Sequence, residues 1–165
     1  MKKNCSGFTL IELLLIFSIT ALLFSVGIAQ YSRFNRRQIL NRAKEELISN
    51  LRLAQSKALA AEKPLEGACA NEDEVVSGHQ LRFSGDDRSY IIVAVCGDDP
   101  DQYPEVKEAV FLPEQVFKTS PEDVVFFKVL SQGVDIQDGT NEMQIILSGF
   151  NETRTITVTK SGEIK

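Results

Sequence analysis

Glu12 is the residue of this chain whose position most clearly calls for a chemical partner. It is the only charged residue in the 22-residue apolar run from Phe8 to Ala29, and it lies near the start of that run. A helix of that length is about 33 Å long, which is enough to cross the hydrocarbon core of a bilayer. An acidic side chain at the centre of such a segment costs about 2.5–3.5 kcal/mol, and less near its end. The run therefore predicts a membrane anchor whose carboxylate needs a cation.

Cleavage of the chain after Gly7 would create that cation. The new α-amine would belong to Phe8, either in the same molecule or in a neighbouring copy. Pairing of this amine with the Glu12 carboxylate would then neutralise both charges in the apolar layer.

The sequence GFTLIE, residues 7–12, follows a short leader that contains Lys2 and Lys3. This pattern resembles the type III signal of type IV pilins and of the pseudopilins of type II secretion. The resemblance implies that a prepilin peptidase removes residues 1–7, that Phe8 is N-methylated, and that Glu12 faces a neighbour's terminus during assembly. The partners implied are other pilin or pseudopilin subunits, the peptidase, an inner-membrane assembly platform and the lipid bilayer. The expected function is that of a structural subunit, a minor pilin or pseudopilin, of a type IV pilus or secretion pseudopilus.

Two later segments point to one branch of this family. LRLAQSKALAAEK, residues 51–63, and TITVTKSGEI, residues 155–164, resemble the helix end and the closing strand of H-type pseudopilins and related minor pilins. Some relatives take up DNA with a basic Gly-Arg-type motif near the C-terminus, where this chain has Gly162 followed by Glu163. The formal charge of −5, which becomes −7 without Lys2 and Lys3, also argues against binding to nucleic acid.

Other interpretations of the N-terminus stay open. An ordinary secretory signal could be cut before Gln30, after the small residues of Gly27-Ile28-Ala29. A plain signal anchor carrying an exported binding module, such as a DNA-uptake minor pilin, is the alternative function. The leader motif predicts a single-pass inner-membrane protein with its C-terminal domain outside the cytoplasm. The positive-inside rule alone predicts the reverse, because more basic residues follow the run than precede it: Arg33, Arg36, Arg37, Arg42 and Lys44.

The three cysteines become two if the leader is removed, because Cys5 lies within it. Cys69 and Cys96 are then an even pair in an exported domain, which favours a disulfide over two unrelated buried thiols. A bridge that closes about 28 residues would stabilise the fold by about 3.6 kcal/mol in the chain-entropy account.

Residues suited to catalysis are few. His79 is the single histidine, and the chain has no phosphate-binding loop or nucleophile elbow. The acidic turn Asp98-Asp99-Pro100-Asp101 lacks the spacing and the glycine of a calcium-binding loop. We therefore expect no enzymatic activity, no cofactor and no metal.

The pattern predicts an α+β fold in which a long N-terminal helix packs on a mainly antiparallel β-sheet or β-sandwich. An apolar stripe at three- and four-residue spacing continues the helix to Lys63, before Pro64. The stripe consists of Leu40, Ala43, Leu47, Leu51, Ala54 and Ala58. The predicted strands are 79–84, 88–96, 109–112, 124–130, 142–148 and 153–159, with a hairpin at Gly85-Asp86-Asp87. The expected segments are a leader (1–7), a transmembrane half-helix (8–29), an amphipathic half-helix (30–63) and a β-rich domain (64–165).

Overall fold

The computed structural model describes residues 9–64, 69, 74–96, 104–130, 133–136 and 140–165, apart from the side chains of residues 26, 27 and 29. A long helix, α1, runs from Leu10 to Leu59. Within the described residues eight strands follow: β1 (Val76–Phe83), β2 (Ser89–Cys96), β3 (Glu105–Phe111), β4 (Val116–Lys118), β5 (Val124–Lys128), β6 (Val134–Asp135), β7 (Glu142–Gly149) and β8 (Glu152–Thr159). The α+β class is therefore confirmed.

The contacts divide the chain into two compact units, Met1–Gln38 and Ile39–Lys165. This division rests on contacts alone, so the four segment boundaries drawn from the sequence stay predictions. The second unit contains the C-terminal part of α1 together with all eight strands.

The predicted apolar stripe of α1 forms one wall of the core in the second unit. All six of its residues are at most 2% exposed, and Ile48 joins them. Each fully buried leucine contributes about 1.5–3 kcal/mol relative to an exposed one. Burial of this face, rather than helix propensity, therefore holds α1 against the strands.

Two antiparallel sheets complete that core. The larger sheet has the order β3-β2-β1-β5-β6, and the smaller has the order β4-β7-β8. Leu81 and Phe127 from the larger sheet, and Ile145 and Ile156 from the smaller one, belong to the same buried cluster as the α1 stripe. Among the described strands every pairing is antiparallel, which agrees with the mainly antiparallel sheet that the sequence predicted.

Two hairpins account for the most regular part of the sheets. The predicted turn at Gly85-Asp86-Asp87 joins β1 to β2, and Phe83 faces Tyr90 across it. In the second hairpin Phe150 and Asn151 connect β7 to β8 with φ angles of 56° and 61°. Two successive positive φ angles characterise a type I′ turn, whose twist matches that of the strands. Gly149 ends β7, one residue beyond the end of the strand predicted at 142–148.

Several strand boundaries predicted from the sequence were wrong. The strand predicted at 109–112 begins four residues earlier and excludes Leu112. The strand predicted at 124–130 ends at Lys128, because the backbone turns at Leu130 with a φ of 53°. The two short strands β4 and β6 were missed, since two or three residues are too few to show an alternation.

Candidate functional site

Glu12 lies in the first turn of α1, and its side chain is exposed. Within the part of the chain that the structure describes, no side chain forms an ion pair or hydrogen bond with its carboxylate. The two predicted processing residues, Gly7 and Phe8, lie outside the described residues. Pairing of the carboxylate with an N-terminus therefore stays a prediction.

Thr9 begins the helix and was missed in the sequence analysis. Its Oγ1 accepts a hydrogen bond from the backbone N–H of Glu12 at 3.4 Å, and its carbonyl accepts one from Leu13 at 3.2 Å. A threonine followed three residues later by glutamate, ahead of an apolar run, is a known sign of a helix start and would have identified it. The cap places the Glu12 carboxylate at the positive end of the helix dipole, where a negative charge is favoured.

The hydroxyl groups of the apolar segment need no outside partner. Ser18, Thr20 and Ser25 each donate to a backbone carbonyl three or four residues earlier, at distances of 2.8–3.0 Å. These bonds satisfy the hydroxyls inside the helix, as a hydrocarbon environment requires. Glu12 is thus the one side chain between Leu10 and Ser25 that carries a charge.

The surface of this segment is apolar on every side. Its large hydrophobic side chains are exposed, from Ile16 at 48% to Leu10 at 79%. Among the described residues, α1 is the one helix that is long and apolar enough to cross a membrane, with a mean hydropathy of 2.4 in its most apolar window. Such a surface fits a single-pass anchor and can pack against lipid or against the same segment of other chains.

Basic residues follow the anchor directly. Arg33, Arg36, Arg37 and Arg42 are all exposed on α1. Their position beside the apolar segment fits contact with anionic lipid headgroups or with acidic subunits.

The structure joins Cys69 and Cys96 by a disulfide, the pairing that the sequence favoured, with their Cα atoms 5.5 Å apart. Both residues are buried, and they form a small cluster with Val76 and Ala94. The bridge ties Cys69, between α1 and β1, to the end of β2.

His79 lies inside β1, rather than at the start of a strand, and is 1% exposed. Neither ring nitrogen has a hydrogen-bond partner among the described residues. Burial lowers the pKa of His79, with a further decrease from the charge of Lys57 and an opposing effect of Glu62. The described part of the chain holds no group of three or more potential metal ligands. The acidic turn at 98–101 lies outside the described residues.

The C-terminal turn fastens the end of α1. Gln55 Nε2 donates to the carbonyl of Gly162 at 2.7 Å, and Gly162 has a φ of 90°. The Glu163 carboxylate pairs with Lys165 at 3.1 Å. An acidic group therefore stands beside the basic one, which does not suit a phosphate contact.

Comparison with known families finds one match. The family model of the prokaryotic N-terminal methylation motif matches residues 2–28. This match covers residues 2–7 of the predicted leader, Glu12 and most of the apolar run. No curated protein and no solved structure is significantly similar to the chain.

Proposed function

We propose that this chain, which carries a type IV pilin-like N-terminal signal, is a minor pilin or pseudopilin that assembles into a helical filament after cleavage behind Gly7. The observation that carries the proposal is the methylation motif at residues 2–28, placed directly ahead of an exposed apolar helix. A plain anchor needs neither the motif nor the charge at Glu12. A prepilin peptidase and other pilin-like subunits are the partners that such a signal implies.

Cohesion of the filament would come from packing of the apolar segments of neighbouring chains. Glu12 would set their register, because its carboxylate has no described partner within its own chain. An unpaired charge in the apolar layer is costly, and the α-amine of a neighbour's Phe8 would neutralise it. The second unit would then be carried outside the cytoplasm, where its disulfide is stable.

The test is the N-terminus of the protein after co-expression with a prepilin peptidase, read by intact-mass and peptide mass spectrometry. We expect a chain that starts at N-methylated Phe8. A matched culture with a catalytically inactive peptidase should retain residues 1–7. A start at Gln30, or full-length protein with the active peptidase, would refute the proposal and leave an exported or anchored domain.

A further inference from the structure

The first half of β7 has an open edge. β4 pairs only with Leu147, Ser148 and Gly149, and the N–H of Thr119 donates to the carbonyl of Ile146 at 2.8 Å. From Met143 to Ile145, β7 is paired on one side only, with β8, among the described residues. Backbone groups two residues apart point to the same edge, so Gln144 directs its N–H and C=O away from β8. An edge of this kind can accept a further strand.

A groove of about 1020 Å³ lies along this edge. One side is formed by β7, which contributes Met143 and Ile146. The other side is formed by Val95, Val124 and Phe126 of the larger sheet. These three residues alternate with core residues along their strands, so they lie on the sheet face turned away from α1. The groove therefore offers apolar surface beside the unpaired backbone of Gln144, whereas the carbonyls of Glu142 and Ile146 already accept from Thr140 Oγ1 at 2.9 Å and from the N–H of Thr119 at 2.8 Å.

Gln80 in the groove wall points to a ligand with an oxygen acceptor. Its side chain is 6% exposed, and its Nε2 has no hydrogen-bond partner among the described residues. A buried amide donor without an acceptor is unfavourable, and a peptide carbonyl entering the groove would satisfy it.

The rim of the groove is acidic. Of the lining residues that the structure describes, Glu122, Asp123, Asp135 and Glu142 carry carboxylates and none carries a basic group. Asp123 and Asp135 already pair with Lys118 and Lys128, whereas neither Glu122 nor Glu142 has a described ion pair. The unpaired carboxylates favour a ligand with Lys or Arg side chains.

The rim is also held in place before any ligand arrives. Lys118 Nζ is buried and bonds to Asp123 Oδ1 at 2.7 Å, to Asp87 Oδ1 at 3.0 Å and to the carbonyl of Ser120 at 2.7 Å. Burial disfavours its charge, but the hydrogen bonds that Lys118 donates to Asp123 and Asp87 outweigh that effect and raise the pKa of Lys118. A lysine that stays charged thus fixes the loop of Ser120–Asp123, which reduces the ordering needed on binding.

We propose that this groove binds an extended segment of another protein, with Lys or Arg and β-branched apolar residues on the same face of the segment, as an added strand on the open edge of β7. Main-chain hydrogen bonds to Gln144, apolar contacts with Phe126 and Ile146, and ion pairs with Glu122 and Glu142 would hold the segment. The proposal does not depend on assembly of the chain into a filament.

The test uses the full chain in nonionic detergent micelles and a fluorescent seven-residue peptide, Lys-Thr-Val-Thr-Lys-Thr-Val, which places Lys and Val on one face of the strand, and binding is followed by fluorescence anisotropy. We expect saturable binding that empty micelles do not show. A peptide with Glu in place of Lys should bind at least about tenfold more weakly because it meets the acidic rim. A Lys/Val peptide that is N-methylated at alternate amides keeps its side chains but loses the backbone N–H groups that would pair with β7. Its affinity should fall by about the same factor.

Variants of the protein locate the site. Gln144→Pro removes an N–H that faces the groove but no β7–β8 hydrogen bond, so it should abolish binding, whereas Gln144→Ala should retain it. Glu142→Gln should weaken binding severalfold, and Glu45→Gln, at an exposed site on α1, should not.

Three results would overturn the proposal. These are no saturable binding, equal binding of the methylated and unmethylated peptides, or a self-association that Gln144→Pro removes, which would assign the edge to a second copy. The methylated peptide decides the matter even if Gln144→Pro fails to fold, because it is measured on the unaltered protein.

Discussion

Asn50 Nδ2 donates a hydrogen bond of 2.7 Å to the hydroxyl of Tyr90, and both side chains are almost completely buried. The bond connects α1 to β2 in the core of the second unit. Lys107 Nζ on β3 donates to Asn50 Oδ1 at 2.6 Å, so three elements meet at one amide. Burial raises the pKa of Tyr90 to about 12, so its hydroxyl stays protonated well into the alkaline range.

Replacement of Asn50 by leucine should lower the free energy of unfolding by about 1–3 kcal/mol, because the Tyr90 hydroxyl would stay buried without its partner. Urea unfolding followed by circular dichroism measures this change. Tyr90→Phe should lower the free energy of unfolding less in the Asn50→Leu variant than in the wild-type protein, because it removes the hydroxyl that has lost its partner. Asn41→Ala is the matched control, because Asn41 is exposed where it accepts from Arg154, and it should change stability by no more than about 0.5 kcal/mol. Equal losses in the two asparagine variants would contradict a special role for Asn50.

Loss of the disulfide should destabilise the second unit. Cys69→Ala with Cys96→Ala frees the chain between them and should lower the free energy of unfolding by about 2–4 kcal/mol. The wild-type protein also tests processing, because removal of the leader removes Cys5 and leaves only the two bridged cysteines. We expect the mature chain to show no free thiol under denaturing, non-reducing conditions and two after reduction. Two free thiols before reduction would contradict the bridge.

Acidification should destabilise the fold through His79. The ring is buried without described partners, and burial lowers its pKa below the usual 6.5, so the folded chain keeps it neutral. As the pH falls below about 6.5, the unfolded chain binds a proton that the folded chain does not, and stability falls by up to about 1.4 kcal/mol per pH unit. The loss ends at the lowered pKa of the folded state, and full stability returns above about pH 6.5.

Unfolding curves of the full chain between pH 5 and 7.5 measure this dependence. His79→Leu should flatten the curve over that range, because leucine fills the site without a titratable group. Lys57 and Glu62 are the charged groups that shift the pKa of His79. Their variants should change the slope of stability against pH less than His79→Leu does. An unchanged slope in His79→Leu would assign the effect to other groups.

Local patterns predicted the elements whose signals lie within one segment. The stripe from Leu40 to Ala58 repeats often enough to mark a buried helix face, and Gly85-Asp86-Asp87 marks a turn by residue type alone. The open edge of β7 had no such signal in the sequence. It exists because β4 pairs with β7 only from Leu147 to Gly149 and leaves the earlier residues of β7 uncovered. The environment of Gln80 was likewise hidden, since its burial depends on strands distant in the chain. The groove depends on contacts between segments that are distant in the chain, so no local sequence pattern predicted it.

The N-terminal site shows the opposite relationship between sequence and structure. The resemblance of residues 7–12 to the signal of type IV pilins implied processing and pairing, whereas a single chain contains no neighbour with which the pairing could be seen. The structure contributes the surroundings of the carboxylate: a Thr9 cap, hydroxyls that are satisfied internally and an exposed apolar surface. In the described part of the apolar segment the Glu12 carboxylate is therefore the charged group without a partner, and a second chain would neutralise it.

Glu12→Ala should therefore separate anchoring from assembly. Removal of a carboxylate from the apolar layer lowers the cost of insertion, so membrane anchoring should be at least as good as in the wild-type chain. Processing should also persist, because the residues at the predicted cleavage point are unchanged. Incorporation into sheared filaments, measured by quantitative immunoblot against the membrane fraction, should fall by about tenfold or more, as expected for the loss of one ion pair in an apolar layer.

Glu12→Gln should behave like Glu12→Ala if charge is what matters, whereas Glu12→Asp should retain part of the incorporation. Glu45→Ala removes an exposed carboxylate from the second unit and should incorporate normally. Normal incorporation of Glu12→Ala, with its N-terminus processed, would show that the carboxylate is not what brings neighbouring chains together.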